Sequence, residues 1–567
     1  MKMFKNTRII LAVSLVFMLM LSACGTGSTK TSGDTTSQDK STAAPTESVS
    51  EVAPEADPLG KYEPAIDLTI GRQTDSSYKF VEGESFDNNI WITEYKDKLG
   101  INVKHEFIVD ATQYDAKVNV VIASGDIPDV MLVTAKQTKM LMESDLIHDI
   151  TDAFDTYASP MSKKAIISNE KVFSAAKIDG KLMGIPMIWA LDFALNDVWV
   201  RADWMKKLNL PEPKTADDFI KIAEAFTTQD PDGNNKADTF GIALDKGFPA
   251  GNLGSITGWL NMFHAYKEIW LKDASGQLVY SSIQPEMKAA LQKLADLYKR
   301  GIIDQEFGVK DGGKITQDIV GDKVGMEIGA FWNPAWPLQD LKNKTASSDW
   351  TPYPILSNDD KPALSQANVR VDQFFVISKE CEHPESFVKM LNLNFENLFG
   401  SQMDEWDKIE LSDKYKDIQT FKYPAVGMEP PTLNRDLFDE IQTYLQDKDE
   451  SKVKLAKDDL TKGKAFLAGD NKAWCNYKIR WEKNGGMGVL KNQIDSGNIM
   501  YNENYGIPGP VNVEKSSSMI KLENEVFTKI IMNAVPIDEF DKFIEQWKKI
   551  GGNELTKEVN DWYAEFK

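Results

Sequence analysis

Hydrophobic and polar positions follow two periods along most of the 567-residue chain, one typical of strands and one of helices. Apolar side chains alternate with polar ones over residues 101–107, which predicts a half-buried strand, and an earlier strand is expected at 66–71. Residues 129–133, an apolar run after Asp129, predict a buried strand, whereas 89–99 and 114–123 have helical spacing. This alternation favours an α/β fold with right-handed crossovers. The sequence shows no internal repeat.

The first 30 residues depart from this pattern. Three basic residues precede an apolar run over residues 9–21, and small residues then lead to Cys24. A basic segment, a short apolar segment and a small-residue cleavage point together predict a secretory signal peptide. The apolar run is too short for a transmembrane helix, which needs about 20 apolar residues. We therefore expect export of the protein, with removal of residues 1–23.

The end of this leader is more specific. Residues 21–24, Leu-Ser-Ala-Cys, resemble the lipobox of bacterial lipoproteins, in which a diacylglycerol is attached to the cysteine. The resemblance implies a lipidated Cys24 on the outer face of the cell membrane, in a Gram-positive type of envelope. The alternative is an ordinary signal peptide with an incidental cysteine. Residues 24–63 are rich in Ser, Thr, Gly, Pro and Glu, which predicts a flexible tether.

Composition limits the partners and the size of the fold. Acidic residues outnumber basic ones by 86 to 65, so the formal net charge is −21, and loss of the leader with its three basic residues makes it −24. This acidity argues against binding to nucleic acid and against electrostatic adhesion to anionic lipid. Attachment to the membrane must then come from the lipid. The roughly 500 residues after the tether can fill two or more hydrophobic cores.

Cysteine and histidine contribute little chemistry. Apart from Cys24, the chain has only Cys381 and Cys475, which either form one disulfide or remain two unpaired thiols. The four histidines are scattered, and no cysteine or histidine spacing matches a zinc site. A histidine-based metal site or a catalytic triad therefore has weak support.

Several segments resemble, in the same order, those of extracellular solute-binding proteins of ATP-driven sugar importers, the group of the maltose- and alginate-oligosaccharide-binding proteins. They are SGDIPDV (124–130), GKLMGIP (180–186), the run from Asp197 to Phe219, residues 321–332 and the C-terminal run 541–563. Met183 departs from the pattern, because an aromatic residue is usual there. No segment is decisive alone, but together they cover residues 64–567 in order.

The resemblance implies an α/β fold of the type II periplasmic-binding-protein kind, with two lobes around an interlobe cleft. Lobe 1 would comprise residues 64–190 and 372–430, and lobe 2 residues 191–371 and 431–567. Hinged lobes would close on a carbohydrate, with an oligosaccharide as the first expectation. The closed receptor, a monomer, would then deliver the carbohydrate to the permease subunits of an ABC importer.

A sugar ring has an apolar face and a rim of hydroxyl groups, so it suits an aromatic platform flanked by carboxylates and amides. Trp332 and Trp336 lie in a proline-bounded segment without helical periodicity, which favours them as the platform. Either side chain could instead fill a core. The resemblance suggests Trp189 and Asp192 at the lobe crossing, where side chains can also be packed, and Asp75 and Lys136 at cleft-facing positions after strands, where either could be a solvated loop charge. Two further candidates are Trp259, shortly before Phe263, and Gln373, near the return crossing.

Residues 230–238 place oxygen donors at every second position, a spacing that can wrap one Ca²⁺ ion with its 6–8 oxygen ligands. The segment resembles the calcium loop of alginate-binding members of the family, although Thr239 stands where an acidic ligand is found. A polar turn before a strand is the alternative. The candidate ligands of a structural calcium ion are the side chains of Asp230, Asp232, Asn234 and Asp238 and the carbonyl of Lys236.

Other functional classes remain as alternatives. A secreted glycosidase would also have aromatic and acidic side chains in a cleft, but it needs two carboxylates roughly 5–10 Å apart, and no segment resembles a hydrolase. A cell-wall adhesin would be expected to show repeats. A receptor for a peptide or another non-sugar solute is also compatible with the sequence. We expect no enzymatic activity.

Overall fold

The computed structural model describes residues 56–188, 190–248, 253–369, 371–410, 412–415 and 418–565. The leader, Cys24 and most of the predicted tether lie outside these ranges, and so does Trp189. In the described ranges, no helix combines the length and the apolar character needed to cross a membrane.

Thirteen strands are present in the described part of the chain. They are β1 (Ile66–Thr74), β2 (Ile101–Asp110), β3 (Val130–Thr134), β4 (Ile185–Ile188), β5 (Asp197–Arg201), β6 (Phe240–Ile242), β7 (Trp270–Lys272), β8 (Leu278–Tyr280), β9 (Val324–Gly329), β10 (Trp350–Tyr353), β11 (Ser365–Ala367), β12 (Val371–Ile377) and β13 (Ile499–Tyr501).

The helices that accompany them are α1 (Ile90–Glu94), α2 (Ala111–Ser124), α3 (Ala135–Glu143), α4 (Thr151–Tyr157), α5 (Pro160–Ile166), α6 (Glu170–Ala175), α7 (Ala202–Lys207), α8 (Ala216–Thr228), α9 (Thr257–Asn261), α10 (Pro285–Lys299), α11 (Gly312–Val320), α12 (Gln339–Lys344), α13 (Glu385–Phe399), α14 (Met403–Glu410), α15 (Leu433–Asp447), α16 (Lys457–Leu467), α17 (Trp474–Asn476), α18 (Gly486–Asp495), α19 (Pro510–Ile531), α20 (Glu539–Trp547) and α21 (Asn553–Glu565). The α1 helix continues as a π-helical turn over Tyr95–Leu99.

The first sheet has the strand order β2-β1-β3-β12-β4. Strands β1, β2 and β3 are parallel, and β12 runs antiparallel to both of its neighbours, with Gln373 opposite Thr134 and Met187. The carboxyl ends of β1, β3 and β4 and the amino end of β12 therefore meet at one edge of the sheet. Ligands of open α/β sheets usually bind outside the carboxyl ends of the strands.

The second sheet has the order β10-β5-β9-β6, in which β6 and β9 are parallel and β5 is antiparallel to β9 and β10. Asp197, the first residue of β5, lies opposite Gly329, the last residue of β9. The chain leaves this edge of the sheet directly into the segment that carries the two candidate tryptophans.

Two large hydrophobic cores cover the two sheets. One is built from residues between 68 and 185 and between 371 and 426, and the other from residues between 198 and 363 and between 519 and 563. A smaller cluster joins Leu195, Ala367 and Phe438, which come from three separate passages of the chain between these cores. We call it the hinge cluster. The lobe boundaries given above stay a prediction.

The end of the tether differs from the prediction. Residues 57–62 pack on α13: Lys389 donates a hydrogen bond to the Gly60 carbonyl at 2.9 Å, and the Tyr62 hydroxyl donates one to Glu385 at 2.8 Å. Leu59 and Tyr62 supply the apolar contacts. Composition alone assigned this segment to the tether, because two apolar residues stand among many polar ones.

The two remaining cysteines are unpaired. Cys381 is buried in the core of the first sheet, and Cys475 lies against the cluster around Trp199 and Trp350 in the second. Burial raises the pKa of the Cys381 thiol to about 11, so this thiol is unreactive at neutral pH.

Candidate functional site

Residues 330–338, which follow β9, form what we call the tryptophan loop. Trp336 has an extended backbone conformation (φ −165°, ψ 129°), and 44% of its surface is exposed. Trp332 is half-buried and packs against the hinge cluster. Of the two predicted platform residues, Trp336 is exposed, whereas Trp332 is partly used in packing.

A second exposed ring lies close to this loop. Phe193, on the first passage between the cores, is 37% exposed, and its ring centroid is 5.8 Å from that of Phe331 in the tryptophan loop. Sequence reasoning missed Phe193, although it follows the candidate Asp192 directly. The tryptophan loop and the segment around Phe193 thus lie next to each other, and each carries an exposed aromatic ring.

Asp192 itself does not face solvent. Its side chain is fully buried, and Arg435 Nε of α15 lies 3.0 Å from its Oδ1 atom. Burial raises the pKa of Asp192 to about 6, and the Arg435 guanidinium opposes this rise. The Asp192 side chain is therefore not accessible to solvent, and its direct contact with a ligand stays a prediction. The Arg435 side chain is 23% exposed and is the accessible member of the pair.

The candidates of the first sheet lie at the edge where the carboxyl ends of β1, β3 and β4 meet. Asp75 follows β1 and is exposed, and its carboxylate accepts a hydrogen bond from the Ser77 backbone at 2.6 Å. Lys136 is exposed in the first turn of α3, just after β3. Gln373 is half-buried near the start of β12. These three side chains therefore lie at one edge, as the strand order requires.

The prediction that Trp259 contacts the ligand is wrong. It is fully buried in α9, within the core of the second sheet, and its indole N–H has no hydrogen-bond partner among the described residues. The prediction rested on its nearness to Phe263 in the sequence, but all five residues of this short helix are buried. Trp259 is a core residue.

Two carboxyl groups lie beneath the tryptophan loop. Asp197 and Glu327 are fully buried, and the Asn333 amide of the loop donates a hydrogen bond of 2.6 Å to Glu327 Oε1. Burial raises the pKa of Glu327 to about 7. Burial and the neighbouring Glu327 raise the pKa of Asp197 well above its usual value. Sequence reasoning did not identify this pair, because Asp197 begins β5 and Glu327 stands alone in an otherwise apolar strand, with no local pattern to join them.

The candidate calcium loop turns sharply between α8 and β6. The Asp230 carboxylate accepts hydrogen bonds of 3.0–3.1 Å from three successive backbone N–H groups, and the Asn234 amide lies 2.6 Å from Asp232 and 3.0 Å from Asp238. Burial and the adjacent Asp230 carboxyl raise the pKa of Asp232. The predicted side chains therefore converge, and their carboxylates repel one another.

These donors fit a calcium ion only as a mixed set. No group of three or more His, Cys, Asp or Glu side chains in the described ranges is arranged to hold a metal ion. A cation in this loop would also need the Asn234 amide oxygen, after rotation of the amide, and main-chain carbonyls such as that of Lys236. Calcium accepts both kinds of oxygen.

The chain matches one protein family and several known bacterial proteins. The model of a family described as bacterial extracellular solute-binding protein matches residues 91–393. Lipoprotein LipO of Bacillus subtilis (strain 168) is 22% identical over 490 residues, which cover 82% of this chain and 87% of LipO. The polygalacturonan/rhamnogalacturonan-binding protein YtcQ of the same organism is 24% identical over 469 residues, covering 81% of this chain and 85% of YtcQ.

Among solved structures, the alginate-binding protein AlgQ2 without calcium ion matches 90% of this chain and 100% of its own, with a TM-score of 0.58 and 16% identity. At this identity the match concerns the fold, which is the two-lobe α/β fold of periplasmic solute-binding proteins.

Proposed function

Since this chain belongs to the family of bacterial extracellular solute-binding proteins, we propose that it is the receptor subunit of an ABC importer and that it binds an oligosaccharide between its two lobes. The relatives support a carbohydrate ligand, because YtcQ is named for binding polygalacturonan and rhamnogalacturonan, and AlgQ2 for binding alginate. Binding without turnover is part of the proposal.

The observation that carries this proposal is the exposed ring of Trp336. Its indole is 44% exposed in the loop that follows β9, a central strand of the second sheet, so it is accessible to a ligand. Its face matches the apolar face of a sugar ring. Phe193, Asp75 and Gln373 supply a second ring and polar groups of the kind that fix hydroxyl groups.

The proposal includes a lipid anchor on Cys24 and a position on the outer face of the cell membrane. The lipobox-like residues 21–24 support it, and so does the similarity to LipO, a named lipoprotein. Two acyl chains on one residue would hold the protein firmly, whereas a single chain binds only marginally. A tethered receptor stays within reach of its permease.

We also propose a structural calcium ion at residues 230–238. The carboxylate oxygens of Asp232 and Asp238, which converge on the Asn234 amide, support it, and so does the Asp230 carboxylate at the start of the turn. The ion would neutralise the carboxylates and stiffen the connection between α8 and β6. It would have no catalytic role.

The test of the ligand proposal uses the chain from Gly25 onward, which lacks only the leader and the lipidated cysteine. A thermal-shift screen against galacturonan, rhamnogalacturonan, alginate and fructan oligosaccharides selects a ligand, since a bound ligand stabilises the folded protein. Replacement of Trp336 with Ala should then weaken binding about tenfold or more, as expected for loss of an aromatic anchor.

The matched control is Leu467→Ala, which removes an apolar side chain that is 63% exposed at the end of α16. This variant should bind as the wild type does. Equal affinity of the wild type and the Trp336→Ala variant would refute the proposed platform, and no stabilisation by any of these oligosaccharides would count against a carbohydrate ligand.

A further inference from the structure

The two buried carboxyl groups of the second sheet lie on one face of a pair of strands. Asp197 is opposite Gly329 in the register of β5 and β9, and Glu327 precedes Gly329 by two residues, so both side chains point the same way. Each residue is 0% exposed. No basic side chain contributes to the electrostatics of either carboxyl group in the part of the chain that the structure describes.

Buried carboxyl groups without a cation are expensive, so they are expected to hold protons and to form hydrogen bonds. Glu327 Oε1 accepts the 2.6 Å hydrogen bond from Asn333 Nδ2, and Glu327 Oε2 lies 3.4 Å from the Gly254 backbone nitrogen. Among the described residues, Asp197 Oδ2 has no hydrogen-bond partner. Glu327 therefore holds the Asn333 side chain, whereas Asp197 Oδ1 accepts a hydrogen bond of 3.5 Å from Gln493 Nε2.

Asn333 is the centre of the tryptophan loop. Its backbone carbonyl accepts hydrogen bonds from the Trp336 N–H at 3.1 Å and the Leu338 N–H at 3.2 Å. Its side chain is fully buried on Glu327. A continuous path of two hydrogen bonds thus leads from the Glu327 carboxyl group, through Asn333, to the backbone of the exposed Trp336.

Gly329 leaves the space that this contact requires. A Cβ atom at this position would stand 2.2 Å from Asn333 Nδ2 and 2.9 Å from Glu327 Oε2. The backbone conformation of Gly329 is not left-handed, so an alanine would be strained only by these two side chains. Gly329→Ala is consequently a selective way to displace Asn333.

We propose that Glu327 and Asn333 are positioning residues for ligand binding, which fix the tryptophan loop so that Trp336 is presented as a rigid platform. The inference rests on the proposed function of Trp336. It assigns to a buried glutamate, and to the asparagine that it holds, a role in affinity rather than in stability alone. Preorganisation of this kind raises affinity because the loop does not lose conformational freedom when the ligand binds.

The first test needs no ligand. The chain from Gly25 onward is labelled with 5-fluorotryptophan, and the ¹⁹F resonance of Trp336 is identified by its loss in the Trp336→Phe variant. Asn333→Ala and Gly329→Ala should shift or broaden this resonance. Glu327→Gln should leave it in place, because the glutamine oxygen can still accept the hydrogen bond from the Asn333 amide.

The second test measures the dissociation constant for the oligosaccharide selected by the thermal-shift screen. Asn333→Ala should weaken binding about tenfold, as for a change at a central contact. In the Trp336→Ala background the same change should have little further effect, because its action passes through Trp336. Glu286→Gln, an exposed carboxyl on α10, is the matched control for Glu327→Gln.

An unchanged Trp336 resonance in both Asn333→Ala and Gly329→Ala would overturn the inference. Full additivity of Asn333→Ala and Trp336→Ala in the binding free energy would also overturn it. If the wild type binds none of the oligosaccharides, the proposed carbohydrate function fails, whereas the ¹⁹F result still decides whether Glu327 and Asn333 position Trp336.

Discussion

At the scale of single residues, burial separates the charged side chains that can contact a ligand from those that are already paired inside the protein. Asp192 is fully buried on Arg435, whereas Asp75 and Lys136 are exposed at the edge of the first sheet. A buried carboxylate that already has a guanidinium partner cannot also serve a sugar hydroxyl without giving up part of that ion pair. Arg435 is therefore the better candidate for contact at the hinge.

The raised pKa of Asp192 makes a pH-dependent prediction. Its folded-state pKa is about 6 and its ordinary value is 3.8, so the folded state binds more protons between these values. Stability of the wild type relative to Asp192→Asn should therefore fall as the pH rises from about 4 to 6, by about 3 kcal/mol in total. Urea unfolding of both proteins across this range measures the difference. A difference independent of pH would contradict the assigned environment.

Some of the site residues could be predicted from the sequence, and others could not. The proline-bounded segment around Trp332 and Trp336 was recognisable, because its rings follow no helical period. The Asp197–Glu327 pair and the partner of Asp192 were not, since such contacts join residues more than 100 positions apart. The burial of Trp259 depends on the packing of the whole core of the second sheet and has no local signal.

At the scale of elements, the predicted strands and helices of the first sheet are found with shifted ends. The strand expected at 66–71 extends to Thr74, and the one expected at 101–107 extends to Asp110. Both extensions carry the chain further toward the edge of the sheet where the carboxyl ends of the parallel strands meet. Thr215 is the N-cap of α8, because its side chain accepts a hydrogen bond from the Asp218 N–H.

The calcium loop makes an element-scale prediction. Added Ca²⁺ should raise the melting temperature, since an ion at 100 times its dissociation constant stabilises by about 2.7 kcal/mol, and EDTA should reverse the effect. Asp232→Asn, which keeps the shape of the side chain, should reduce both shifts. Elemental analysis of the purified protein accounts for an ion that EDTA does not extract. Protein without bound calcium and with an unchanged melting temperature would contradict the proposal.

At the scale of the whole molecule, the order of motifs predicted the two-lobe α/β fold, and the family match and the structural neighbours confirm it. The α/β class has a physical reason, because strands that alternate with helices allow few topologies once right-handed crossovers are required. The two lobes were implied by the resemblance alone. The identity of the ligand could not be predicted in the same way. It depends on which side chains meet across the cleft, and total charge and aromatic content do not report that.

We propose that this protein binds an oligosaccharide and releases it unchanged. The most direct measurement is isothermal titration calorimetry of the chain from Gly25 onward with the selected oligosaccharide, followed by mass spectrometry of the recovered sugar. The account predicts saturable binding of one oligosaccharide per chain and recovery of the sugar at its original length. Shortened products, or no saturable heat with any carbohydrate of the screen, would contradict it.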